Sequence, residues 1–132
     1  MRGVILSSPQ TKPFKPRKFL KLAISLIDDT KYDEHCRVRT SVGRAYYSVF
    51  MYTKNRLELV GGHHFPDNHE VHGEVIEALM TRGHRLIGSQ LNTLRETRCD
   101  ADYHMDVPFH KSKGKYYLQL SEKIIDEITS LI

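Results

Sequence analysis

The chain has 132 residues, enough for one hydrophobic core and one domain but not for two. Hydrophobic residues make up 39% and charged residues 27%, an ordinary globular balance, and no apolar run is long enough to cross a bilayer. The net charge of +4 and the pI near 9.1 lean towards an anionic partner, while the short apolar runs give no expectation of a membrane one.

Residues 1–13 carry Ser, Pro, Gln, Thr and Lys without periodicity and read as a loose tail. Met1 to Leu6 lacks the apolar core of a signal peptide, so the expected location is the cytoplasm. In that reducing setting Cys36 and Cys99, which show no motif spacing, read as plain thiols. From Pro16 the pattern turns helical, with Phe19, Ala23 and Leu26 beside Leu20, Ile24 and Ile27, and the run ends near Asp28-Asp29. A longer helix is predicted from about Asp33 to Val60. Its stripe is Val38, Val42, Ala45, Val49, Thr53 and Leu57, widened by Tyr46 and Phe50, and Gly61-Gly62 stops it.

A loop with Pro66 leads to a third helix over His69 to Arg82, with Val71, Val75, Ile76, Leu79 and Met80 inward. A fourth is predicted over Gly88 to Tyr103, with Leu91, Leu94, Arg98 and Ala101 on one face. Pro108 and Lys111-Ser112-Lys113-Gly114 read as a polar loop before a last helix over Lys115 to Leu131. That helix is expected to bury Tyr117, Leu120, Ile124, Ile128 and Leu131. The pattern predicts an all-α protein, a four-to-five-helix up-and-down bundle, with residues 14–132 as its single domain.

Two arginines stand where the pattern asks for apolar residues. Arg44 is the only charge between Thr40 and Thr53, so its side chain is expected to be part-buried and to need an acid, with Asp100 and Asp102 as candidates. Arg98 lies on the apolar stripe of the fourth helix, with Asp102 four residues later on the same face. Arg98 therefore reads either as a local ion pair or as a guanidinium that lines a cleft and grips a phosphate. His104 follows with five residues between. A histidine beside an arginine is the minimum for metal-independent RNA cleavage, because imidazole can move the 2′-hydroxyl proton while the guanidinium stabilises the charged phosphorane. Arg56 and His63 have similar spacing, so spacing alone does not single the pair out.

His63, His64, His69 and His72 crowd one loop and helix start, but they lack cysteine partners, and the reading assigns no metal and no other cofactor. Lys111, Lys113 and Lys115 form a basic patch soon after His104 that could track a phosphate backbone. No Gly-rich phosphate loop or Ser/His/Asp order is present.

The order of these signals resembles the HEPN superfamily, and within it the small stand-alone prokaryotic members. Ser41 to Phe50 (Ser-Val-Gly-Arg-Ala-Tyr-Tyr-Ser-Val-Phe) is similar to their Ser-x-x-x-Arg-Ala-Tyr-Tyr-x-x-Phe helix. Lys31-Tyr32 precedes it like their short turn, and His72-Gly73 opens the third helix like their His-Ser/Gly pair. Leu94 to Tyr103 resembles their Leu-x-x-x-Arg-x-x-Ala-Asp-Tyr ending. The resemblance spans Phe19 to Ile128 and implies a helical bundle that commonly dimerises.

Many members cut RNA with an Arg, four to six residues and a His, paired across a two-fold axis, as toxins or defence nucleases. Carried onto this chain, Arg98 and His104 would be the catalytic pair, supported by Arg44, Asp102, Tyr103 and His72, with Lys111, Lys113 and Lys115 on the RNA. Other members are inactive and accompany a minimal nucleotidyltransferase, which can serve as antitoxin. Cys99 stands here where active members carry a polar residue after the Arg, and Asp106 where many toxins carry Tyr. The leading expectation is a metal-independent endoribonuclease of a toxin–antitoxin or defence system, acting as a homodimer. The alternative is a non-catalytic binding module.

Overall fold

The computed structural model describes residues 13–132, so all of the expected tail except Pro13 lies outside the described residues. Five helices follow in order: α1 (Arg17–Ile27), α2 (Glu34–Leu59), α3 (Val71–Thr81), α4 (Arg85–Tyr103) and α5 (Lys111–Leu131). The fold is an all-α bundle with α2 at its centre, in contact with each of the other four helices. No helix among the described residues is long and apolar enough to cross a membrane.

The long helix α2 begins where Asp33 caps it, its carboxylate accepting from the Cys36 amide at 3.1 Å. It ends in a turn that needs a positive φ at Gly62 (+70°). All eight residues of its expected stripe are buried: Val38, Val42, Ala45, Tyr46, Val49, Phe50, Thr53 and Leu57. Small residues on the same helix let neighbours come close, and the Ser41 hydroxyl donates to the Ala23 carbonyl of α1 at 3.1 Å.

Three expectations need correction. On α1 only Leu20, Ala23 and Ile27 are fully buried, while Ile24 is 42% exposed and Phe19 and Leu26 are part-buried. A short helix packed on one flank of α2 covers one stripe completely, not two.

Helix α4 starts at Arg85, a turn before Gly88. Gly83 reverses the chain at φ +89°, and Gly88 is buried, a Cβ there meeting Met80 at 3.0 Å. Gly88 is therefore a close-packing residue inside the helix, and the helix does not begin there.

Helix α5 likewise starts at Lys111, so Lys111 to Gly114 is its first turn and not a loop. A cap from another helix makes this possible, because Glu34 of α2 accepts from the Lys111 amide at 2.9 Å. Gly114 lets α5 touch the α1–α2 pair, since a Cβ there would lie 2.7 Å from Ile27 and 2.8 Å from Val38. The earlier start shifts the buried stripe to Gly114, Leu118, Ser121, Ile124, Ile125 and Ile128. Tyr117 and Leu120 are half-buried and Leu131 is exposed.

Two loop aromatics complete the core. Phe65 and Phe109 are buried, Phe109 completely, in segments whose sequence shows no periodicity.

Candidate functional site

The last turns of α4 carry two stripes that face different ways. Arg98 points to α2 and is only 9% exposed. Its Nη1 donates to Asp102 Oδ2 at 3.3 Å, and its guanidinium lies over the rings of Tyr46 and Tyr47 at 5.4 and 5.5 Å. Gly43 makes room for this contact. A Cβ at that position would meet Asp102 at 3.9 Å and the Arg98 stem at 4.0 Å. Of the two roles open to Arg98, the geometry supplies the local ion pair with Asp102. Its Nε has no hydrogen-bond partner among the described residues.

His104 caps the same helix on the exposed side. Its Nδ1 lies 2.7 Å from Asp100 Oδ1, and a carboxylate can only accept, so Nδ1 carries the hydrogen and Nε2 keeps a lone pair in the neutral ring. A groove of about 590 Å³ runs beside it, lined by Asn92, Arg95, Glu96, Cys99, Asp100 and His104. Arg98 does not line this groove. Within one chain, Arg98 and His104 have separate acid partners.

Arg39 of α2 holds the chain around His104. Its guanidinium donates to the carbonyls of Asp100, Ala101, His104, Met105 and Val107, at 3.2, 2.9, 3.3, 3.3 and 2.6 Å. It also lies 4.9 Å from the Phe109 ring centre. These carbonyls belong to the end of α4 and the turn after it, where helix geometry runs short of donors; those of Asp100 and His104 also accept from the His104 and Val107 amides. Nothing in the sequence marks Arg39 for this role, because its acceptors are main-chain groups that every residue carries.

Arg44 finds no acid among the described residues. It lies between the rings of Phe19 and Tyr47, at 5.0 and 5.1 Å. The expected partner Asp102 is taken by Arg98, and a weakly hydrated guanidinium can use aromatic faces instead.

Tyr46 is fully buried, and its hydroxyl lies 2.6 Å from His72 Nδ1 at the start of α3. His72 is stacked on Phe50, with ring centres 4.3 Å apart. Burial pushes the Tyr46 phenol well above its ordinary value, against a smaller opposing pull from Arg95 and Arg98, so it stays protonated. His72 is pushed below its usual value by burial first, then by Arg95 and Arg98. His69, in contrast, is exposed, so the histidine cluster divides between solvent and core.

The basic patch after His104 is largely engaged within the fold. Lys111 and Lys115 both pair with Asp28, at 2.5 and 3.6 Å, and the hydrogen bond from Lys111 holds the Asp28 carboxyl below its ordinary value. Lys113 sits 4.0 Å over the Phe109 ring and donates to the Pro108 carbonyl. Tyr103 is 71% exposed and Met105 70%, an apolar pair on the surface next to His104. Cys36 and Cys99 are free thiols. The sequence pattern singles out neither Arg39 nor Arg95, whose surroundings are set by helices distant in the chain. Compared with known protein families, curated proteins and solved structures, the chain gives no match.

Proposed function

We propose that this chain is a HEPN-like helical module that works by binding a partner protein, in the manner of the non-catalytic members that accompany a minimal nucleotidyltransferase. The observation that carries this reading is the burial of Arg98 against Asp102 and two tyrosine rings. A catalytic guanidinium must face the point where charge develops on the phosphate. This one is turned into the fold, with its charge already compensated. The engagement of Lys111, Lys113 and Lys115 within the fold weighs the same way.

A second reading, the metal-independent endoribonuclease of a toxin–antitoxin or defence system, has one specific observation behind it. Asp100 fixes the His104 ring with Nε2 free beside an open groove, a suitable arrangement for a general base. In a homodimer, RNA would then meet His104 of one subunit and a guanidinium of the other.

The test compares the wild type with His104→Ala and Arg98→Ala on mixed RNA in chelator, alongside co-expression with a minimal nucleotidyltransferase. The binding reading expects no cleavage by the wild type and a complex that survives gel filtration. Wild-type cleavage that both variants lose would replace it with the nuclease.

A further inference from the structure

The second apolar stripe of α1 has no complete cover. Leu20 is buried, but Ile24, one turn on, is 42% exposed, and with Ile125 of α5 these residues floor a groove of about 220 Å³ between the two helices. Arg17 and Lys21 stand on the α1 rim, Glu122 and Asp126 on the α5 rim. No ion pair closes the groove. Arg17 is turned to the oxygens of Tyr52 and Thr129, and Lys21, Glu122 and Asp126 have no ion partner within reach among the described residues.

The two basic and two acidic rim residues cancel, and the exposed Lys18 and Lys123 beside them in sequence do not line the groove. An apolar floor between balanced rims suits an occupant that is apolar and uncharged. The chain itself supplies one. Val4-Ile5-Leu6, outside the described residues, is an uninterrupted apolar run, and Gly3 to Thr11 carry no charge at all. The connection is long enough: Leu6 to Arg17 can span up to about 35 Å, whereas Arg17 to Ile24 along α1 is only about 10 Å. Phe14 meets Phe19 with ring centres 4.8 Å apart, so the chain that leads into α1 already lies against that helix.

We infer that the α1–α5 groove is the docking site of Val4-Ile5-Leu6 of the same chain, which covers Ile24 and completes the burial of the second stripe of α1. Tethering makes this contact intramolecular, with an effective concentration in the millimolar range, so three apolar side chains suffice where a free peptide of that size would not bind. A partner protein that uses the α1–α5 face has to displace the segment first.

The test records methyl NOE spectra of the full chain at high and at low protein concentration. The wild type should show contacts from the Val4, Ile5 or Leu6 methyls to those of Ile24, with the same relative intensity at both concentrations. Leu6→Asp and Ile5→Asp should each lose these contacts and shift the Ile24 and Ile125 methyl signals, while the signal of Ile76, in the core on α3, stays in place as the control for folding. Ile24→Asp, a change at a part-exposed position, should lose the contacts from the groove side. Absence of the contacts in the wild type overturns the inference. Contacts that fade on dilution overturn it in favour of a second copy of the chain. Ile24 and Ile125 signals that are identical in the wild type and in Leu6→Asp also overturn it, and they leave the groove to a partner protein.

Discussion

The guanidinium of Arg39 donates to the main-chain carbonyl of His104 at 3.3 Å, joining two residues 65 positions apart. The same side chain serves four further carbonyls between Asp100 and Val107, so one arginine of α2 fixes both the end of α4 and the turn that presents the His104 ring.

Replacing Arg39 should therefore loosen the very segment that carries the candidate base. Arg39→Met is expected to lower stability by about 2–4 kcal/mol, since several acceptors at once lose a charged donor. Arg39→Lys should recover little, because a single ammonium cannot span five carbonyls. Urea denaturation would give the first quantity, and hydrogen exchange over residues 100–107 would localise it. A change below about 0.5 kcal/mol, the scale of an ordinary surface substitution, would refute the clamp.

Arg98 should behave as a packed residue. Arg98→Ala is expected to cost about 2 kcal/mol through loss of the buried side chain that lies beside Gly43 and over the Tyr46 and Tyr47 rings, whereas Arg98→Met should stay within about 1 kcal/mol of the wild type. Coupling to Asp102, whose side chain is 43% exposed, should be no more than about 1 kcal/mol in a double-mutant cycle. Arg98→Met matching Arg98→Ala would show that the charge, and not the packing, matters.

His72 makes stability depend on pH in a definite direction. Its folded value lies below the ordinary 6.5, so the unfolded chain takes up the proton first as pH falls. The contribution is complete above pH 6.5 and is lost as pH drops through the folded value. Denaturation midpoints should decline from pH 7.5 to pH 5.5 in the wild type, and the slope should flatten in His72→Gln. An equal slope in the variant would place the titration elsewhere.

Gly114→Ala tests the contact of α5 with α1 and α2. Alanine favours a helix over glycine by about 1 kcal/mol, yet the new methyl must fit 2.7 Å from Ile27 and 2.8 Å from Val38. Val38 is β-branched and fully buried, with little freedom to move. Overpacking of this kind costs about 1–3 kcal/mol, so net destabilisation by about 1 kcal/mol is expected in thermal unfolding. A stabilised variant would mean the helices have slack at this crossing.

The sequence by itself determined that the chain is helical, how α2 runs and which of its residues face the core, because helical period and caps are local properties of neighbouring residues. It also determined that Arg98 has a ready acid in Asp102, one turn away. Tertiary structure decided where α4 and α5 begin, since Gly88, read locally as a helix start, and Gly114, read as a loop residue, are sites where another helix comes close. It gave Arg44 two aromatic rings in place of an acid, and it engaged Lys111 and Lys115 with Asp28. It alone brought Arg39 to five distant carbonyls and Arg95 to the open start of α3. The physical reason is the same in each case: the partners are backbone groups, ring faces or distant charges, and only the packing of the helices decides which of them come within reach.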